Sequence, residues 1–215
     1  MHLSEIWDGI VSGILEQDLL GFAGLIFGLL CVYFLIKKSL LTWPFGILYV
    51  LVSFVVFWQS RLYGDFLLHI FYLVLNVYGW YYWVKGNKSD EEKVMITSLS
   101  GRHALMTLGA TALGVWLFAQ FLIGIPNWIE GVEPAALPYW DSATSMLSVA
   151  GMWLTARKKI DNWYYWFAVD VLATGVYFYK ELYFYSALYF IYIGMAVAGY
   201  ISWRKSLKST TQPNV

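Results

Sequence analysis

The chain has 215 residues, of which 60% are hydrophobic, 20% aromatic and 13% charged, with 14 basic and 14 acidic side chains. That is about half the charge density of an ordinary soluble domain, and the zero net charge gives no basis for steering toward nucleic acid. The few charges fall between long apolar runs, and helices apolar on every side have no polar surface to offer water, so a soluble fold is excluded.

Residues 1–18 carry Glu5, Asp8, Glu16 and Asp18 and no Lys or Arg, the reverse of a basic cleavable leader. Apolar residues at helical spacing over Leu3–Leu15 predict a helix lying along the outer face of the membrane. Uncharged runs then occupy Leu19–Ile36, Ser39–Ser60 and Phe66–Val84. Each is close to the roughly 20 residues that cross a bilayer as a helix. After a basic loop over 85–102, the run His103–Trp128 gives a fourth span. Ser142–Ala156 is short but borrows length from the apolar Ala135–Trp140. Asn162–Tyr179 is long enough and carries one acid, Asp170, and Leu182–Trp203 completes seven spans before the tail 206–215. The single cysteine, Cys31, lies inside the first span and has no intrachain partner.

The basic residues fix the expected orientation. Lys37, Lys38, Lys85, Lys88, Lys93, Arg102, Arg157, Lys158, Lys159, Arg204, Lys205 and Lys208 fall on one side of a seven-span chain. Only Arg61 and Lys180 fall on the other, beside Glu130 and Glu133. The positive-inside rule therefore puts the N-terminus outside and the C-terminus in the cytoplasm.

Sliding the chain against itself by 120 residues aligns Lys38 with Lys158, Trp43 with Trp163, and Leu62-Tyr63 with Leu182-Tyr183. Leu68, Tyr72, Val77, Gly79, Trp83 and Lys85 then meet Leu188, Tyr192, Val197, Gly199, Trp203 and Lys205. The expected fold is thus all-α and integral to the membrane. Residues 19–84 form one three-helix repeat and 139–205 the second, joined by a linker helix over 103–128 in a 3+1+3 arrangement. The odd linker gives both repeats the same orientation, an arrangement found in small-solute carriers, although duplicated bundles also occur in receptors and enzymes.

Polar groups inside spans are costly and point to function. In the third span His69, Tyr72, Asn76, Trp80 and Trp83 share one helical face; in the sixth, Trp163, Trp166, Asp170, Thr174 and Tyr177 do the same. Asn76 and Asp170 both fall near mid-depth, so an amide and a carboxylate are expected to meet at the membrane midplane between the repeats. Their repeat mates are Ala196 and Val50, so each polar group exists on one copy only. Asp170 reads equally as a protonated structural carboxyl or as the counter-charge of a cationic substrate. Asn76 reads as a ligand contact or a helix-to-helix hydrogen bond. Trp80 and Trp166 are flat rings beside a carboxylate, suited to a planar heteroaromatic cation. Trp43, Trp140 and Trp203 are read as interfacial belt residues, Gln59 and Gln120 as weaker site candidates, and His69 as solvated near the outer face. Gly24, Gly28, Gly46, Gly79, Gly175 and Gly199 permit close packing or bending. His2, His69 and His103 lie too far apart in depth for a zinc site. No GxxxxGK[ST] loop or nucleophile pair is present, so neither a cofactor nor an enzymatic activity is expected.

Two blocks carry a resemblance. Leu62-Tyr63-Gly64-Asp65 leads into Asn76-Val77-Tyr78-Gly79-Trp80-Tyr81-Tyr82-Trp83. Pro138-Tyr139-Trp140-Asp141 precedes Ala156-Arg157-Lys158-Lys159-Ile160-Asp161-Asn162-Trp163-Tyr164-Tyr165-Trp166, followed by Asp170 and Tyr177-Phe178-Tyr179-Lys180. Over about residues 20–206 the chain resembles the PnuC family of nicotinamide riboside transporters, with one departure at His69, where relatives commonly carry Gln. The resemblance implies facilitated diffusion of nicotinamide riboside across a bacterial inner membrane, made one-way by intracellular phosphorylation. It also implies a SWEET-like helix arrangement with changed connectivity, a homo-oligomer with a trimer among the candidates, and Asn162 joining the substrate contacts. Relatives carry thiamine, riboflavin or deoxynucleosides, so another vitamin or nucleoside is the alternative cargo; a membrane-bound sensor is the alternative from a different class.

Overall fold

The computed structural model describes residues 3–59, 63–85, 95–128, 131 and 135–211. His2, Arg61, Leu62, Lys88, Lys93, Glu130 and Glu133, on which the charge, repeat and metal readings drew, lie outside the described residues. The described chain is helical: α1 Leu3–Leu15, α2 Leu19–Ile36, α3 Thr42–Gln59, α4 Tyr63–Lys85, α5 Gly101–Trp128, α6 Pro138–Ala156, α7 Asn162–Tyr179 and α8 Tyr183–Thr211. Asp18 caps α2, its side chain accepting from the Gly21 N–H at 2.7 Å. Pro138 opens α6, where a missing N–H costs nothing because the first-turn donors have no helical acceptor, and this early start supplies the length that Ser142–Ala156 lacks. By length and composition α2, α3, α5 and the Tyr183–Leu207 stretch of α8 are apolar enough to cross a membrane. The helices α4, α6 and α7 are diluted by polar side chains, among them Asn76, Ser142 and Asp170.

Neighbour relations among the helices obey the 120-residue repeat. Helix α2 packs on α3 and α3 on α4; α6 packs on α7 and α7 on α8. The two three-helix units meet along two seams, α4 on α6 and α2 on α8. Exchanging the units turns one seam into the other. Outside this ring, α5 packs on α6 and α1 on α8, with Gly9 and Gly13 of α1 lying against Tyr183 and Phe184.

The ends of α2 and α6 are built alike. Lys38 and Lys158 adopt positive φ of 58° and 53°. Lys38 N donates to Leu35 O at 2.9 Å and Ser39 N to Phe34 O at 2.9 Å; Lys158 N donates to Thr155 O at 3.0 Å and Lys159 N to Leu154 O at 2.9 Å. This is the left-handed stop that satisfies the last carbonyls of a helix. After α6 the turn is clamped from outside: Ile160 N donates to Thr97 O at 2.9 Å, and Leu99 N to Asp161 Oδ2 at 2.7 Å.

The core sits at this basic end and is built on four tryptophans, with Leu35, Ala156, Ile160 and Ala196 packed among them. Trp43 meets Trp83 edge-on at 5.3 Å, Trp163 meets Trp203 edge-on at 5.7 Å, and Trp83 meets Trp203 at 6.1 Å. Trp43 and Trp203 are 1% and 0% exposed, which corrects their reading as belt residues; Trp140 does lie exposed at the start of α6. The physical reason is that lipid is as apolar as a leucine, so helices associate through close packing and hydrogen bonds rather than through burial of apolar area. Glycine provides the closeness: the Trp43 ring lies on Gly79 of α4 and the Trp163 ring on Gly199 of α8. Two of the four indole donors provide the bonds. Trp83 Nε1 donates to Thr155 O at 3.3 Å and Ala156 O at 3.2 Å, and Trp203 Nε1 to Leu35 O at 2.9 Å. Each unit thus caps a helix end of the other.

A methyl group added at Gly79 or Gly199 would run into a rigid indole rather than a flexible chain end. Gly79→Ala and Gly199→Ala should each destabilise the protein by about 1–3 kcal/mol, the cost of overpacking a close-packed core. Thermal unfolding of the purified protein in detergent checks this, with Gly101→Ala, which meets nothing within 4 Å, as the neutral control.

Candidate functional site

Asp170 is 6% exposed, on α7 between its neighbours α6 and α8. Its backbone carbonyl accepts from Thr174 Oγ1 at 2.7 Å, and Ser186 of α8 donates to Thr174 O at 3.0 Å, locking α8 to α7 at that depth. Tyr189 and Tyr192 of α8 lie within electrostatic range of the carboxylate. Tyr177 stacks on Tyr189 at 5.4 Å, and Tyr189 meets the edge of Tyr192 at 5.8 Å. The Tyr192 hydroxyl reaches α2, where a Cβ on Gly28 would lie 2.8 Å from it and 3.5 Å from the ring of Tyr49 on α3.

The first unit carries the same aromatic column one repeat earlier. Phe57 meets His69 at 4.7 Å and His69 meets Tyr72 at 5.0 Å, at the positions of Tyr177, Tyr189 and Tyr192. Tyr49, 6.1 Å from His69, links the two columns. His69 is 6% exposed within this set, which corrects its reading as a solvated residue: the rings of Tyr49, Phe57 and Tyr72 enclose it.

Asn76 is also buried, at 4% exposed. Its Nδ2 donates to Tyr72 O at 2.8 Å and its Oδ1 lies against Gly46 of α3. The expected meeting of Asn76 and Asp170 is therefore not made. Asn76 bonds within α4 and packs on α3, where a Cβ on Gly46 would also lie 3.3 Å from Cys31 Sγ, and Tyr192 is within electrostatic range of both Cys31 and Asp170. Trp166 fills the α6–α7 contact, its Nε1 donating to Thr155 Oγ1 at 3.1 Å and its ring lying on Gly151. Trp83 and Trp163 belong to the tryptophan core, away from the Asp170 group. Trp80 is 39% exposed on α4. Gln59 is exposed at the end of α3, and Gln120 of α5 donates to the Tyr139 hydroxyl at 3.0 Å. Asn162 is fully buried at the start of α7; its Nδ2 donates to Lys159 O, and its Oδ1 is enclosed without a partner among the described residues. The structure thus gathers Asp170, Thr174 and Tyr177, and adds Tyr49, Tyr189 and Tyr192, which the stripe analysis missed. A signal for the last two was present: at an offset of 120, Tyr189 stands where His69 does and Tyr192 where Tyr72 does.

A carboxylate among phenols has two chemical capacities. The hydroxyls can donate to the carboxylate, and the ring faces together with its negative charge can hold a flat organic cation.

A family model described as nicotinamide mononucleotide transporter matches residues 18–205. The nicotinamide riboside transporter PnuC of Escherichia coli (strain K12) is 27% identical over 202 residues, covering 86% of this chain and 84% of that protein. The riboflavin/roseoflavin transporter RibM of Streptomyces davaonensis is 25% identical, covering 88% and 86%. Among solved structures, the crystal structure of the vitamin B3 transporter PnuC superposes with a TM-score of 0.69 at 23% identity, covering 96% of this chain and 90% of that one, a likeness of fold.

Asn76 and Gly46 fit each other, because a side chain at Gly46 would meet the Asn76 amide oxygen. Gly46→Ala should destabilise the protein, and Asn76→Ala in the same chain should relieve the clash. A double-mutant cycle on thermal unfolding should give a coupling of roughly 0.5–3 kcal/mol, the range for residues in contact; additivity would mean that the two do not touch.

Proposed function

Because the chain belongs to the nicotinamide mononucleotide transporter family, a family of multi-pass membrane transporters and not of enzymes, we propose that it carries nicotinamide riboside across a bacterial inner membrane. The observation that carries this reading is Asp170, the one acidic side chain buried among the described residues, with tyrosine rings on the neighbouring helix. Nicotinamide riboside has a flat pyridinium ring, which the carboxylate neutralises while Tyr177, Tyr189 and Tyr192 border it. Asn76 serves the ribose hydroxyls, and Trp80 and Trp166 flank the path. In this reading Tyr72, Trp83, Trp163, Thr174, Gln59, Gln120 and Asn162 shape the cavity and its entrances rather than recognise charge.

The reading extends to architecture. Helices α2–α4 and α6–α8 are two parallel three-helix repeats, α5 is the linker span, and the tryptophan end faces the cytoplasm, with α1 on the outer surface. That both seams interchange under the repeat supports this arrangement. Transport is facilitated diffusion by rocking of the repeats about the Asp170 site, and phosphorylation inside the cell makes uptake one-way. The working unit is a homo-oligomer, a trimer in the simplest case.

Similarity to RibM favours a second reading, riboflavin as cargo. Riboflavin has a neutral ring system and gives a carboxylate no cation to pair with, so Asp170 separates the two. In proteoliposomes the wild type should equilibrate labelled nicotinamide riboside across the bilayer, whereas a sensor would bind it without flux. Asp170→Asn should weaken nicotinamide riboside binding by about 10- to 100-fold, the loss of a charge-assisted contact. Binding of a neutral analogue with an uncharged dihydropyridine ring should be nearly unchanged. Equal losses for both ligands would remove the counter-charge role, and exclusive flux of riboflavin would move the protein to the second reading.

A further inference from the structure

The two seams between the units are related by the repeat but are not filled alike. On the α4–α6 seam, Tyr78 stacks on Trp153 at 5.6 Å with 8° between the planes. Arg157 donates to the Tyr78 hydroxyl at 2.8 Å and lies over the Tyr82 ring at 4.7 Å, while the Lys158 amine lies over Trp83 at 4.5 Å. Segment 95–100 then crosses the turn after α6 through its contacts to 158–161. One repeat later, Tyr78, Tyr81 and Tyr82 are replaced by Ala198, Ile201 and Ser202. The α2–α8 seam consequently holds an open cavity of about 580 Å³, lined by Lys38, Ala198, Ile201, Ser202, Lys205 and Ser206.

The chemistry of this lining is one-sided. The Lys38 amine donates to Ser206 Oγ at 2.8 Å, Ser202 Oγ at 3.3 Å and Ser202 O at 3.5 Å, all neutral oxygens. Lys205 is the second cation of the lining, which contains no acidic side chain. Burial, and next the neighbouring Lys37 charge, push the Lys38 amine below its ordinary value; an anion beside it would offset both effects. The rest of the lining is apolar, and it continues along α8 to the exposed Val197 and Ile201, which in a membrane protein face acyl chains rather than water.

We propose that the α2–α8 seam is a binding site for an anionic phospholipid, with its phosphate between Lys38 and Lys205 and an acyl chain laid against Ala198 and Ile201. Basic pockets between membrane helices bind lipid phosphates in this way, and ammonium-to-phosphate hydrogen bonds are among the stronger kind. The lipid supplies on this seam the filling that Arg157, the tyrosines and segment 95–100 supply on the other. A soluble anion would use the cations but leave the apolar wall uncovered.

Native mass spectrometry of the full-length protein, in detergent micelles doped with phosphatidylglycerol, phosphatidylcholine or inorganic phosphate, tests the site. The wild type should retain phosphatidylglycerol well above phosphatidylcholine. Lys38→Gln with Lys205→Gln should weaken that retention by roughly thirtyfold, the effect of two surface cations. Ala198→Tyr, which brings in the residue of the closed seam and leaves both lysines in place, should lower it as well. The second variant decides the question if the first does not fold. Equal retention of the two lipids, wild-type retention in both variants, or displacement of phosphatidylglycerol by millimolar inorganic phosphate would each overturn the assignment.

Discussion

The bundle depends on two indole N–H groups, those of Trp83 and Trp203, and on the carbonyls they reach. A helix ends with four carbonyls that have no intrahelical donor, and inside a membrane an unmet polar group costs several kcal/mol because no water is there to meet it. The last turns of α2 and α6 solve this partly by a left-handed stop at Lys38 and Lys158, whose N–H groups reach Leu35 O and Thr155 O, and partly by side-chain donors, Ser202 Oγ to Ile36 O and Trp83 Nε1 to Ala156 O. Trp203 adds a second donor to Leu35 O and Trp83 one to Thr155 O, so each three-helix unit ties down a helix end of the other. The indoles that make these bonds then pack edge-on against Trp43 and Trp163, and those rings occupy the space that Gly79 and Gly199 leave. Capping, ring packing and glycine placement form one interlocked unit, repeated twice.

Much of this could be read in the sequence. The apolar runs match α2 and α7 to the residue, and the offset of 120 pairs Trp43 with Trp163, Gly79 with Gly199 and Trp83 with Trp203. What these residues do could not be read, because a tryptophan near the end of an apolar run looks the same whether it lies at a lipid interface or under a neighbouring helix. From sequence alone Trp43 and Trp203 therefore read as belt residues. The distinguishing sign was the glycine spaced with each tryptophan, a pairwise fact that no single-helix pattern contains. The Asn76–Asp170 meeting failed for a related reason. Helical periodicity assigns a face and depth assigns a height, but the partner a side chain takes is set by tertiary packing, and Asn76 turns to Tyr72 O and Gly46.

Where the units differ, they exchange volume at matched positions. In the first unit Cys31, Gly46 and Asn76 sit where the second has Gly151, Trp166 and Ala196. The amide of Asn76 fits over Gly46 on one side, and the Trp166 ring fits over Gly151 on the other. Likewise the Phe54–Phe66 ring contact at 4.8 Å stands where Ser186 donates to Thr174 in the second unit. Each exchange pairs a large group with a small one at matched positions, so side chains of different polarity fill corresponding places in the two units. Val50, the mate of Asp170, is 1% exposed, so Asp170 lies at a depth where the frame, in its other copy, accepts only a hydrocarbon.

The bonds named between the units also have a direction. Trp83 to Thr155 and Ala156, Trp203 to Leu35, Lys38 to Ser202 and Ser206, Ser202 to Ile36, and Arg157 to Tyr78 all lie at the basic end. Farther along the α2–α8 seam, the units touch through the Tyr192 hydroxyl over Gly28, a contact of one flexible side chain with a bare backbone. Close-packed indoles have little freedom to slide, whereas a tyrosine over a glycine can swing without breaking a buried core. Any relative movement of the two units therefore costs least when it pivots about the tryptophan end. Such a pivot displaces most the Tyr49, Tyr189 and Tyr192 rings around Asp170, and it leaves the four indoles in place.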